Sequence, residues 1–144
     1  LLENKDIIPS LTGMVQKEVA KRLAALPGSK IYGILSVLLQ AYYKVEYLFT
    51  VDENVFQPPP KVKSAVIQLT RNENLNIGCN EKLFKTVVKT AFNQRRKTLR
   101  NSLRPLVEKN HEIYKNSFFD KRPEQLDVAA FIQLTNQIEK AMKQ

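Results

Sequence analysis

Two stretches of this chain carry residue types whose spacing points to chemistry. The first is "VFQPPPKV", residues 55–62. Three consecutive prolines exclude helix and cannot donate to a sheet ladder, so they favour a stiff strut extended by ~3 Å per residue. Such a strut holds the neighbouring Phe56 ring at a fixed height, with little entropy left to lose on binding. A ring held that way can stack on an extruded nucleobase. The alternative is a loop phenylalanine plugged into the core, and the loop taken alone favours that plainer reading. The second stretch runs from Lys82 to Arg104, with eight basic side chains and no acidic one. Solvated helix faces usually mix both signs, so a run of one sign points to a polyanion, nucleic acid ahead of an acidic membrane surface.

Other chemistries find little support. His111 is the only histidine and follows the polar "LVEKN", where a surface loop residue is expected. Without a second histidine or a Ser–His–Asp set, nucleophilic catalysis has no base. The single cysteine, Cys79, excludes an internal disulfide and a cysteine-rich zinc site. The carboxylates lack ligand spacing, so no metal is expected. No glycine-rich loop follows a strand, and no apolar run approaches the ~20 residues of a membrane helix. One cysteine and no leader fit a reducing, cytoplasmic setting. The chain begins without methionine, which leads us to expect a fragment or processed product.

Charge divides the 144 residues unevenly. Against a total of +9, residues 1–70 carry +2 and residues 71–144 carry +7.

The elements that must position these residues can be read from periodicity. "LTGMVQ" (11–16) reads as a buried strand, and "KEVAKRLAAL" as a helix closed by Pro27 and Gly28. Ser29 is placed to cap a second helix, "SKIYGILSVLLQAYY", with Ile31, Leu35, Leu38 and Leu39 on one face. From 43 to 51 Tyr43, Val45, Tyr47, Phe49 and Val51 alternate with polar residues, as in a strand. "VKSAVIQLT" (62–70) is a second strand, expected to pair antiparallel with it. Residues 71–80, asparagine-rich with Gly78, read as a linker. Beyond it everything looks helical. Leu83, Phe84, Val87, Val88, Ala91 and Phe92 make an apolar stripe. Lys82, Lys85, Lys89, Arg96, Arg100 and Arg104 lie on a neighbouring face of the same helix. Arg95 breaks the pattern: either the helix bends near Asn93–Gln94, or Arg95 meets a carboxylate or phosphate at the edge of the core. Asp127 is expected to cap the last helix, with Leu126 stapled onto Phe131. The first half lacks the parallel partners of a βα pattern, as though part of a larger sheet were missing.

At "FQPPPKVKSAV" and "AFNQRRKTLRNSL" the sequence resembles the small-subunit ribosomal RNA adenine N6-dimethyltransferases, the dimethyladenosine transferase family. "MVQKEVAKRL", "GSKIYGILSVLLQAYY" and "VEYLFTV" are similar to that family too, in the same order. "NQRRKTLR" points to the small-subunit enzymes rather than the antibiotic-resistance methyltransferases of large-subunit RNA. The resemblance implies an α/β-plus-α fold. Residues 1–70 would form the last strands and helices of a Rossmann-like methyltransferase domain, residues 71–80 a linker, and residues 81–144 a small all-helical RNA-binding domain.

The family's S-adenosylmethionine loop, acidic ribose-binding residue and Asn-(Leu/Ile)-Pro-(Tyr/Phe) motif have no counterpart here, so this chain alone is expected to be inactive. By resemblance, Phe56 stacks on the target adenine and Pro58, Pro59 and Pro60 position it. Asn93, Gln94, Arg95, Arg96, Lys97 and Arg100 fall on the family's RNA-contacting segment, and Lys17, Arg22 and Lys30 lie near the RNA path. Lys63 stands where the family commonly has an acid, either as a phosphate contact or merely exposed. The implied partner is small-subunit ribosomal RNA within the small ribosomal subunit, with neither membrane nor metal, and the chain is expected to be monomeric. Two rival readings remain: a stand-alone basic RNA-binding or ribosome-assembly module, and a protein whose basic helix meets acidic protein or lipid. Arginine-rich faces favour phosphate through bidentate hydrogen bonds.

Overall fold

The computed structural model describes residues 1–52, 63–73 and 75–143. Phe56, Pro58, Pro59 and Pro60 lie outside the described residues, as does Val62 at the expected start of the second strand.

Three strands form one sheet: β1 (Ser10–Gln16), β2 (Tyr43–Val51) and β3 (Ser64–Arg71). β3 lies in the middle and pairs antiparallel with both neighbours, in the order β1-β3-β2. The expected pairing of the second and third strands is therefore present. The first strand joins them, but it is not buried as its apolar sequence predicts. Leu11 and Met14 are both exposed, because β1 lies at the edge of the sheet, and of its apolar residues it is Val15 that packs against the core.

Alternation in β2 also fails part-way. Val45 faces Leu69 and Tyr47 faces Ile67, on the side that holds Ala65, Ile67 and Leu69 in the core. The register then shifts between Tyr47 and Phe49, and Phe49 pairs with Val66. An extra residue in one strand turns every later side chain to the opposite face. Phe49 accordingly stands 55% exposed, away from the face expected for it.

Two short helices cover the inner face, α1 (Lys17–Leu23) and α2 (Ile34–Gln40). Both are shorter than predicted, for identifiable reasons. The freed carbonyls at the end of α1 are taken by α2: Ser36 Oγ donates to Arg22 O, and Gln40 Nε2 donates to Leu23 O and Ala25 O. Gly28 then turns the chain with φ +91, a conformation that suits glycine. Ser29 does not cap the helix; its hydroxyl accepts from Ile31 N within the turn. Ser36 accepts from Gly33 N, so the cap of α2 falls four residues later, at Gly33. Its buried face is Ser36, Val37, Leu38 and Leu39, which leaves Ile31 and Leu35 exposed.

The second half is built on α3 (Glu81–Asn93) and α5 (Val128–Met142), with the one-turn α4 (Leu99–Ser102) and three 3-10 turns between them. It is less helical than its sequence implies. Asn80 caps α3 through Leu83 N, and Asp127 caps α5 through Ala130 N. Phe84, Val87, Val88 and Ala91 of the predicted stripe are buried against Phe131, Leu134 and Ile138. α3 stops at Asn93, so Arg96, Arg100 and Arg104 do not continue its basic face. One hydrophobic core runs through both halves, from Ile67 and Leu69 to Phe119 and Leu134.

Candidate nucleic-acid interface

Lys17 and Lys21 lie one turn apart on α1, so they share a face. They border a hollow with Ala24, Ile31, Tyr47 and Thr50. A second hollow, of about 330 Å³, is lined by Arg22, Lys30, Ile31, Leu35, Phe92 and Arg95 among others. Ile31 borders both, so the two hollows adjoin along α1 and the 28–33 turn, the second reaching the end of α3. Among the described residues no carboxylate pairs with Lys17, Lys21, Arg22 or Lys30. Four cations left unneutralised around exposed Ile31 and Leu35 make a surface suited to a phosphate backbone with apolar contact to sugar or base.

The basic segment that follows α3 divides into two kinds of residue. Asn93, Gln94, Arg96 and Lys97 are exposed, and the turn is closed by Lys97 N donating to Gln94 O. Arg95 points inward. Its Nη2 donates to Tyr32 O at 2.7 Å and to Ser29 O at 3.4 Å, and lies 3.6 Å from a Glu124 carboxylate oxygen. Its guanidinium also sits 5.7 Å from the Phe92 ring centre. The helix end and the carboxylate contact, alternatives in the sequence, both occur. Arg100 is turned aside as well, 2.6 Å from Asp120. Lys63 is exposed, and its carbonyl accepts from Lys17 N at the start of α1.

The structure therefore brings Arg22, Lys30 and Arg95 to one hollow and Lys17 to the adjoining one, with Arg96 and Lys97 next to Arg95 in the chain. Lys21 and Tyr47 escaped the sequence reading. The four-residue step from Lys17 was the signal for Lys21, whereas nothing local marks Tyr47. His111 uses Nδ1 to accept from Ile113 N, which caps a 3-10 turn. Among the described residues no group of three or more His, Cys, Asp or Glu could hold a metal. Among those residues, too, no helix is long and apolar enough to cross a membrane. The four glycines do not gather into one loop. Gly13 lies within β1, Gly28 and Gly78 occupy separate turns, and Gly33 opens α2.

Comparison with known proteins gives a consistent picture. A family profile described as "Ribosomal RNA adenine dimethylase" matches residues 1–140. A protein of Bacteroides thetaiotaomicron named "Ribosomal RNA small subunit methyltransferase A" is 68% identical over 143 residues, which cover 99% of this chain and 54% of that protein. The Flavobacterium johnsoniae protein of the same name is 62% identical, over 96% of this chain and 52% of its own length. The chain thus spans about half the length of the curated relatives it matches. Among solved structures, a dimethyladenosine transferase from Plasmodium falciparum superposes with a TM-score of 0.81 at 23% identity, covering 98% of this chain and 62% of that one. The 23S rRNA methyltransferase ErmE gives 0.56 at 21%, over 92% of this chain and 55% of that one. At those identities the two structures speak for the fold.

Proposed function

The chain belongs to the ribosomal RNA adenine dimethylase family, and from that premise we propose that it contributes the RNA-docking part of a small-subunit ribosomal RNA adenine dimethyltransferase. The enzyme transfers methyl groups from S-adenosylmethionine to N6 of two adjacent adenines during ribosome biogenesis. One observation on this chain carries the reading: Lys17, Lys21, Arg22 and Lys30 line two adjoining hollows without a carboxylate partner among the described residues. Arg96 and Lys97, exposed beside it, extend the same field. Phe56 stacks on the extruded adenine, and Pro58, Pro59 and Pro60 hold it there; these four roles come from the resemblance. Stacking fixes the flipped base while the basic groove holds its backbone, so alignment supplies most of the rate. The donor would supply the methyl group; among the described residues Gly13, Gly28, Gly33 and Gly78 lie apart rather than in one glycine-rich loop.

A second reading keeps the RNA and removes the methyl transfer: a basic RNA-binding or assembly module. The cations that line the two hollows, which need no methyl donor to hold RNA, favour it for this chain acting alone. Methyl transfer to small-subunit ribosomal RNA by the full-length protein, followed by mass spectrometry of the digested RNA, separates the two. Dimethylated adenine supports the enzyme. Tight RNA binding with no methyl incorporation supports the module.

A further inference from the structure

The turn from Gly28 to Gly33 carries Lys30 and Ile31 into the groove, yet it is anchored largely by the other half of the chain. Gly28 N donates to Glu124 O at 2.7 Å, and the Tyr32 hydroxyl donates to Leu126 O at 2.8 Å. Arg95 closes the set by bonding the carbonyls of Ser29 and Tyr32 while facing the Glu124 carboxylate. Phe92 lies beneath the guanidinium and meets the Tyr32 ring edge-on, 6.1 Å between centres. All three contacts converge on Nη2, which the long stem of Arg95 carries to this point while its plane lies near the Phe92 ring; a lysine ammonium, on a shorter stem and without a plane to stack, does not reproduce that placement. A phosphate ligand, in contrast, must keep donors free toward solvent. Arg95 is 34% exposed and its Nη2 is already committed, whereas Arg96 and Lys97 are exposed without a partner among the described residues.

We propose that Arg95 is a positioning residue of the groove rather than a phosphate ligand. It clamps the 28–33 turn to the 122–127 segment and so sets where Lys30 and Ile31 stand relative to the end of α3. The role rests on the reading of this groove as an RNA interface.

The test uses the full-length protein, with Arg95→Ala, Arg95→Lys, Glu124→Gln and the reference variants Arg96→Ala and Arg22→Ala. Two quantities are measured: hydrogen exchange of peptides spanning 28–33 and 122–127, and salt dependence of binding to a small-subunit ribosomal RNA transcript. Both Arg95 variants should speed exchange in both peptides by about 10- to 100-fold, the scale of hydrogen bonds to a charged group. They should weaken binding without changing its log–log salt slope. Glu124→Gln should reproduce part of the effect and add little on top of Arg95→Ala, because the two act as a unit. Arg96→Ala should instead lower the slope by about 0.7 to 0.9, as expected for one phosphate. A similar fall in slope for Arg95→Ala, with rescue by Arg95→Lys and unchanged exchange, would overturn the positioning role. If Arg96→Ala and Arg22→Ala both bind with unaltered affinity and slope, the RNA reading of the groove fails. Exchange still decides the clamp in that event, since unaltered exchange in both Arg95 variants rejects it.

Discussion

The Tyr32 hydroxyl donates to the carbonyl of Leu126 across 94 positions of sequence, in a fully buried hydrogen bond of 2.8 Å. It joins the turn before α2 to the residue before the cap of α5, and so ties the sheet half to the helical half. Removing the hydroxyl leaves a buried carbonyl without its partner. Tyr32→Phe should therefore lower stability by about 1–3 kcal/mol, read as a downward shift of Tm or of the denaturation midpoint. An unshifted transition would mean that the bond contributes nothing to holding the halves together.

The same phenol makes stability depend on alkaline pH. Burial, and then the Asp127 carboxylate, push the Tyr32 pKa up to about 12, while an unfolded tyrosine ionises near ~10. Between those values the unfolded chain releases a proton that the folded chain keeps. The contribution is fully present below about pH 10 and is lost as pH rises toward 12. Tyr42 and Tyr114 are shifted upward too, Tyr42 by burial and then Glu81, and Tyr114 by burial against the opposing pull of Arg104. Tm should fall from about pH 10 upward, and less steeply in Tyr32→Phe. Parallel declines in the two proteins would contradict the assignment.

Cys79 should be a sluggish nucleophile. Burial raises its pKa, and the carboxylates of Glu139 and Glu81 add to the shift. Less thiolate is then present at neutral pH. Alkylation by iodoacetamide at about pH 7.5 should proceed more slowly than for the same cysteine in unfolded protein, with the ratio narrowing as pH rises. Equal rates in the two states would refute this.

The split between what was legible and what was not follows from the range of the interactions. Val87 and Phe84 could be placed in the core from helical spacing, and Asp127 as a cap from its position before an apolar run. The motifs around Phe56 and Arg96 led to the family that the profile also matches. The bulge beyond Tyr47 could not be read, because an extra residue leaves no local mark in a sequence that still alternates. Ser29 looked like a cap by type, but Ser36 satisfies Gly33 N and moves the helix start. At the site, Lys17, Arg22 and Lys30 came only through the resemblance, whereas the cations of residues 82–104 were visible as a composition bias. Which of them are free was not, since Glu124 and Asp120, which occupy Arg95 and Arg100, arrive from distant segments.

Phe56 offers a test of the base-stacking role in the full-length protein. Removal of ~1–3 kcal/mol of stacking in Phe56→Ala corresponds to a roughly 5- to 150-fold slower single-turnover methylation. RNA affinity, which the proposal assigns to the basic surface, should change little, and Phe56→Tyr should keep much of the rate because the ring face survives. A core-plug phenylalanine predicts the opposite: a stability loss of ~3–5 kcal/mol, with normal methylation by the protein that remains folded.

The groove formed by Lys17, Lys21, Arg22 and Lys30 is the centre of the proposed function. The most direct measurement is the salt dependence of binding to a small-subunit ribosomal RNA transcript, comparing the full-length protein with a variant in which all four are alanine. If these residues neutralise phosphates, the variant should bind more weakly, with a log–log slope shallower by about 0.7 to 0.9 for each phosphate no longer neutralised. Its Tm should be nearly unchanged, because none of the four is ion-paired among the described residues. Wild-type affinity and slope in the quadruple variant would contradict the account and leave the groove as a solubilising surface.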